Sequence, residues 1–258
     1  MLRGLYTSAT GMTTQMNRMD VISNNIANVN TTGFKRDRVI TQSFTDEFIR
    51  RVNDPSINDP VRLPFRNSVP VGRYSLGTFV DDLSTDFTTG SFNTTGGTFD
   101  LAINGSGFFA VNSGGQERYT RDGAFTLNQD RMLVTKDGFS VTGADGNPII
   151  IPDGMVSITP AGEIFVDGEL INTIRLMDFE NPAMLRNQGA NLWNALPGAN
   201  PVPFTGSVEQ GVLELSNVNI VREMVEMIEI SRAYEANQRM ITVIDTTMQL
   251  AANDIGRK

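Results

Sequence analysis

The chain contains neither histidine nor cysteine, which leaves carboxylate-based chemistry to be weighed. The missing histidine removes the commonest general base, the commonest metal ligand and the usual triad geometry. The missing cysteine removes disulfides and thiolate metal sites. Close carboxylate pairs exist at Asp81/Asp82 and Asp122/Asp130 and could in principle do acid–base work in a hydrolase, but no motif surrounds them. Gly105-Ser106-Gly107 lacks the third glycine and the following helix of a dinucleotide fingerprint, and reads as a turn. The Asp-Gly dipeptides at 122, 137, 145, 153 and 167 lack the spaced acidic ligands of a calcium loop. The expectation is no catalytic residue, no cofactor and no metal site, so the chain is not an enzyme.

Charge narrows the partners. Formal net charge is -8, and the longest basic cluster is Lys35-Arg36, followed at once by Asp37. Phosphate binding needs a basic face, so nucleic acid is excluded as a partner. No apolar run reaches the roughly 20 residues of a membrane span. Early polar residues from Thr7 to Gln15 interrupt any signal-peptide core, so no cleavable signal is expected.

The densest polar pattern is Ser23-Asn24-Asn25-Ile26-Ala27-Asn28-Val29-Asn30-Thr31-Thr32-Gly33-Phe34-Lys35-Arg36. Asparagine weakens a helix interior, but its amide can donate and accept at once. Asn24, Asn25 and Asn28 could therefore cap a helix end of a neighbouring chain, or simply finish their own helix.

These residues must be positioned by the elements around them. Leu2, Leu5, Ala9, Met12, Met16, Met19, Ile22, Ile26 and Val29 recur at steps of three or four. So do Ile220, Met224, Met227, Ile230, Tyr234, Asn237, Ile241, Ile244, Met248, Ala251 and Ile255. Each series resembles an a/d seam. Helices are predicted over about 3–28 and from an Asn219 cap to about Asp254. Neither can bury so narrow a stripe alone, so each needs the other or further copies. The methionines at 12, 16, 19, 224, 227, 240 and 248 suit an adaptable packing surface better than a cofactor groove.

Between the helices, short apolar runs alternate with turn dipeptides from about Phe87 to Leu215. This is the pattern of antiparallel hairpins in an all-β domain. The stretch from Phe34 to about Val80 has little periodicity. Phe44 and Phe48, four apart, suggest a short helix around Thr41–Val52, with extended linker beyond.

The Asn-rich string resembles the signature of the bacterial flagellar rod and hook family. The C-terminal Ser216-Asn217-Val218-Asn219, Met224-Val225-Glu226-Met227-Ile228 and Arg232-Ala233-Tyr234-Glu235-Ala236-Asn237 are similar to that family's other end. Asp100–Phe109 and Tyr119–Phe125 also look like family strings. The resemblance covers both ends and the β-domain core, and is weak from about Asp37 to Phe79. It implies an α+β multi-domain chain: terminal helices at 1–33 and 216–258 in a coiled-coil domain, a connecting segment at 34–80, and an inserted all-β domain at 81–215. The seam residues then become subunit-interface positions: Leu5, Met12, Met16, Met19, Ile22, Ile26, Met224, Met227, Ile230, Tyr234, Ile241, Ile244 and Met248. Asn24, Asn25, Ala27, Asn28, Thr32, Gly33 and Phe34 become the family motif, with an intersubunit packing role. Phe44 and Phe48 match a possible export-gate motif. The implied partners are copies of the chain, other rod and hook subunits, and the flagellar type III export apparatus, without direct membrane insertion. The implied location is the basal body, in a periplasm or cell-wall zone. Length favours a rod member over the longer hook subunits and fits both the distal type and its proximal paralogue, of which the distal type is put first. A hook subunit or a non-flagellar coiled-coil adhesin is the alternative.

Overall fold

The computed structural model describes residues 2–45, 47–51 and 69–255. Two long helices, α1 (Leu2–Ala27) and α2 (Ile220–Ile255), flank a region of short strands. The chain is thus α+β. It divides into two compact units. So far as they are described, the first gathers Met1–Ser23, Arg38–Leu83 and Met224–Lys258, and the second Asn24–Asp37 and Ser84–Glu223.

In the first unit, α1 tolerates many β-branched threonines because their hydroxyls find backbone acceptors. Thr7, Thr10, Thr13 and Thr14 each donate to a carbonyl one turn back, as Thr14 Oγ1 does to Thr10 O at 2.9 Å. The glycines of α1, unfavourable in an isolated helix by about 1 kcal/mol each, sit where α2 comes close. A Cβ on Gly4 would lie 3.1 Å from Ile244 Cδ1, and one on Gly11 3.0 Å from Asn237 Nδ2. Arg18 Nη2 pairs with Glu226 Oε1 at 3.0 Å. Positions rise along α1 as they fall along α2, so the helices run antiparallel through these contacts. Thr14 also approaches Thr78, with the two hydroxyls 3.3 Å apart, and the Arg3 guanidinium lies over the Tyr74 ring.

The expected helix around Thr41–Val52 is not formed. Strands Arg36–Ser43 and Glu47–Arg51 occupy the described part of that stretch. They pair with Thr78–Asp86 and Val69–Tyr74 respectively. The β-branched run Val39-Ile40-Thr41 favours a strand, and a remote partner edge decides the matter. Phe44 therefore packs on Phe79, ring centroids 5.2 Å apart, instead of sharing a helix face with Phe48. The linker expected beyond Val52 lies outside the described residues as far as Ser68.

The second unit is built on antiparallel strands. Phe108–Ser113 is its central strand, flanked by Gln116–Thr120, Ser140–Val141 and Leu176–Phe179. Both faces of that strand are covered. Phe109 and Val111 enter a core with Leu101, Ile103, Leu133, Ile149 and Ile164. Phe108 enters an aromatic cluster with Trp193, Phe179 and Leu185. A three-stranded sheet, Val156–Ile158, Glu163–Val166 and Glu169–Thr173, completes the layer. Its last hairpin turns at Asp167 (φ 51°) and Gly168 (φ 90°), two successive positive φ values as a type I′ turn requires. In the apolar run at 149–151, Ile149 and Ile151 are buried, while Ile150 is exposed and forms an isolated bridge with Met132 rather than a strand.

A buried polar junction that holds the motif residues

The Asn-rich string and the C-terminal string meet within the second unit. Asn25 is 1% exposed. Its Oδ1 accepts from the Asp37 amide at 3.0 Å, and its Nδ2 donates to the Asp37 carbonyl at 2.9 Å. The same Nδ2 reaches Glu223 Oε2 at 3.2 Å. Glu223, 0% exposed, pairs with Arg36 Nε at 2.6 Å. It lies in the first turn of α2, whose start is capped by Asn219: the Arg222 amide donates to Asn219 Oδ1 at 3.1 Å. Asn217 completes this side. Its Oδ1 accepts from the Arg36 amide at 2.8 Å, and its Nδ2 donates to the Asp86 carbonyl.

A second cluster adjoins it in sequence. Lys35 Nζ and Glu214 Oε1 lie 2.5 Å apart with both side chains fully buried. Glu214 Oε1 also accepts from the Gly90 amide, and Arg121 Nη1 stands 3.4 Å from Oε2. Lys35 donates further to the Thr88 carbonyl, and Arg121 to the Gly105 carbonyl. Burial pushes the Lys35 and Arg121 pKa values down, and Glu214 opposes both shifts. A buried charge is tolerable only when paired and hydrogen-bonded, and these are.

Gly33 is the turn between the two clusters. Its φ is 65°, and an added Cβ would meet the Asp122 amide nitrogen at 2.4 Å. Only glycine fits there. Its N–H donates to the Glu214 carbonyl at 2.9 Å. Beside it, Thr32 Oγ1 donates to Asp122 Oδ1 at 2.6 Å, and Asn191 Nδ2 donates to the Thr32 carbonyl. Phe34 is buried at 5% exposure. Burial raises the Asp122 pKa against the Thr32 hydrogen bond, and raises that of Asp37 against a hydrogen bond from Thr85.

The junction therefore ties chain to chain-end and presents no open nucleophile. Of the carboxylate pairs weighed for hydrolysis, Asp122 holds Thr32 and the Ala124 amide, while Asp130 is exposed in a tight turn. The Asn25 amide is engaged within the chain, by the Asp37 backbone and Glu223. Asn24 and Ala27 are exposed, and Asn28 donates back to the Asn24 carbonyl. Sequence reasoning singled out neither Lys35, Arg36, Arg121, Glu214 nor Glu223 as a site. The available signal was charge inside otherwise apolar or motif strings, as in Val212-Leu213-Glu214-Leu215.

The seam positions split. Ile22 and Ile230 are buried, and Leu5, Met12, Met19, Ile26, Met227, Tyr234, Ile241, Ile244 and Met248 are partly covered. Met16 and Met224 are about half exposed, at 54% and 48%. Phe44 is 41% exposed, and Phe48 lies in strand Glu47–Arg51.

Three family models match: the flagella basal body rod protein over residues 5–35, the flagellar hook protein FlgE/F/G D1 domain over 102–166, and the flagellar basal body rod FlgEFG protein C-terminal over 209–254. The first and last of these cover the two helices, and together they take in most of the junction. The flagellar basal-body rod protein FlgG of Buchnera aphidicola (subsp. Acyrthosiphon pisum) is 36% identical over 96% of this chain and 98% of its own length. FlgG of Bacillus subtilis is 35% identical over 98% and 99%. The flagellar basal-body rod protein FlgF of Caulobacter vibrioides is 34% identical over 98% and 96%. Identity at this level across both helices, the junction and the strands leaves one conclusion: the chain belongs to the flagellar basal-body rod family, as a structural subunit and not an enzyme.

Proposed function

We propose that the chain is a distal-rod-type subunit that polymerises helically, through a coiled-coil domain made of both termini, into the tubular shaft that carries motor torque to the hook. One observation carries this reading beyond the family. Besides the side chains turned to α1, α2 exposes a second apolar row: Val221, Met224, Val225, Ile228, Met240, Val243 and Leu250. These recur at helical steps on one element, which a chain acting alone would keep polar. Further copies, or neighbouring rod and hook subunits, cover that row. In this scheme 1–33 and 216–258 are the inner domain, 34–80 the connection and 81–215 the outer β-domain.

Export through the flagellar type III apparatus, to a basal body in the periplasm or wall, fits a chain whose helices order on assembly. Phe44 and Phe48 are the residues of a possible export-gate motif. Loss of secretion in F44A/F48A supports that role, and normal secretion removes it.

The assignment is tested by exchange. The chain is expressed in motile hosts lacking either the distal or the proximal rod subunit, and purified basal bodies are imaged. Completed rods in the distal-deficient host are expected. Rescue of only the proximal deletion moves the chain to the paralogue. Rescue of neither, with the chain secreted, overturns the reading.

A further inference from the structure

The ring Asn25–Asp37–Arg36–Glu223 closes on itself. Asn25 belongs to the last turn and a half of α1, and Glu223 to the first turn of α2. Asp37 and Arg36 belong to the segment that leaves the motif. Asn25 grips the Asp37 backbone by both its amide and its carbonyl, as a paired strand residue would. It also reaches Glu223, which holds Arg36. Asn217 fixes the Arg36 amide from the other side. Every member lies in the unit that contains the β-core, and Asn25 and Glu223 are essentially inaccessible to water.

Helix formation is limited by its first turn, where several residues are fixed for one hydrogen bond. A turn already fixed by side chains removes that barrier. We propose that this ring is a helix-nucleation clamp: it keeps the C-terminal turn of α1 and the N-terminal turn of α2 folded on the β-unit in the isolated chain. Both helices then extend outward from the clamp when the chain assembles. This rests on the proposed ordering of the helices on assembly, and it adds where that ordering starts. Subunits in transit would reach the growing end with both helices already begun, so assembly only propagates them.

The test is amide hydrogen exchange on the full chain, at a concentration where it sediments as a monomer. Residues 25–37 and 220–227 are expected to exchange about tenfold or more slowly than residues 5–18 and 235–250. In Asn25→Ala that difference should vanish, while protection of Leu101–Asn104 and Phe108–Ser113 is unchanged. Glu223→Gln keeps the hydrogen bond but not the charge, and should show an intermediate loss. Exchange at 25–37 and 220–227 as fast as in the distal helices overturns the clamp, as does protection that survives Asn25→Ala. Uniform protection along both helices overturns the order of folding, while the rod assignment is judged separately by exchange between hosts.

Discussion

Glu214 shows what a single residue does here. It lies in a two-stranded pairing with Phe92–Thr94, yet its side chain accepts from Lys35 and Gly90 and faces Arg121. Removing one partner of a buried pair leaves an uncompensated charge, which costs about 3–5 kcal/mol. Lys35→Met should lower the urea unfolding free energy by that order. Adding Glu214→Leu should lower it by less than the sum of the two single changes, because neither member of the Lys35–Glu214 pair is then orphaned, although Arg121 loses its carboxylate. Simple additivity would mean the pair is not coupled. Asp122 gives a pH test. Its folded pKa is raised above the ordinary 3.8 by burial, so its contribution to stability is fully present below that value. It is lost as pH rises through the folded pKa, when the buried carboxyl must ionise. Asp122→Asn retains an acceptor for Thr32 and Ala124. Relative to wild type it should gain stability between pH 4 and pH 7, read from urea midpoints at both. An unchanged difference would remove ionisation of Asp122 from the account. At this scale the sequence made the motif strings visible but not their pairing, since Lys35 and Glu214 stand 179 residues apart.

At the scale of elements, legibility followed the length of the repeating pattern. Both helices announce themselves through stripes sustained for six turns or more, and the Asn219 cap was readable because its side-chain chemistry is local. Hairpins with Asp-Gly turns were readable for the same reason. Strands such as Gln116–Thr120 and Glu169–Thr173 were not, because their residues are largely polar and their order comes from neighbours. The stretch at 41–51 misled for a related cause: an i,i+4 aromatic pair suits a helix, but strand partners dozens of residues away were decisive. Gly4 and Gly11 would weaken an isolated α1, but in the fold they sit where α2 comes close. Gly11→Leu tests this. In an isolated helix the change should help by about 1 kcal/mol. Here the larger side chain must displace Asn237, so the helical signal of the assembled chain should fall and the assembly should dissociate at lower urea. Increased helicity without loss of assembly would show that α1 and α2 do not need close approach.

For the whole molecule, the balance between self-sufficiency and assembly turns on the outward row of α2. The β-rich unit has a closed core, with Leu101, Phe109, Val111, Leu133, Val141, Ile149, Ile151 and Ile164 at 0% exposure. The helices are different. Val225 and Ile228 are 52% and 54% exposed, so apolar area there stabilises nothing in the single chain. Changing either to aspartate should alter the unfolding free energy of the monomer by no more than about 0.5 kcal/mol, as at most exposed positions. In a polymer the same charge would be buried without a partner, at a penalty of several kcal/mol at every repeat. Ile228→Asp should therefore leave the monomer's urea curve in place and abolish polymer in sedimentation and electron microscopy. Loss of polymer with an intact monomer assigns this face to the subunit interface. Polymer formed as readily as by wild type would assign assembly to another surface, and α2 would then keep its apolar row for a contact outside the shaft.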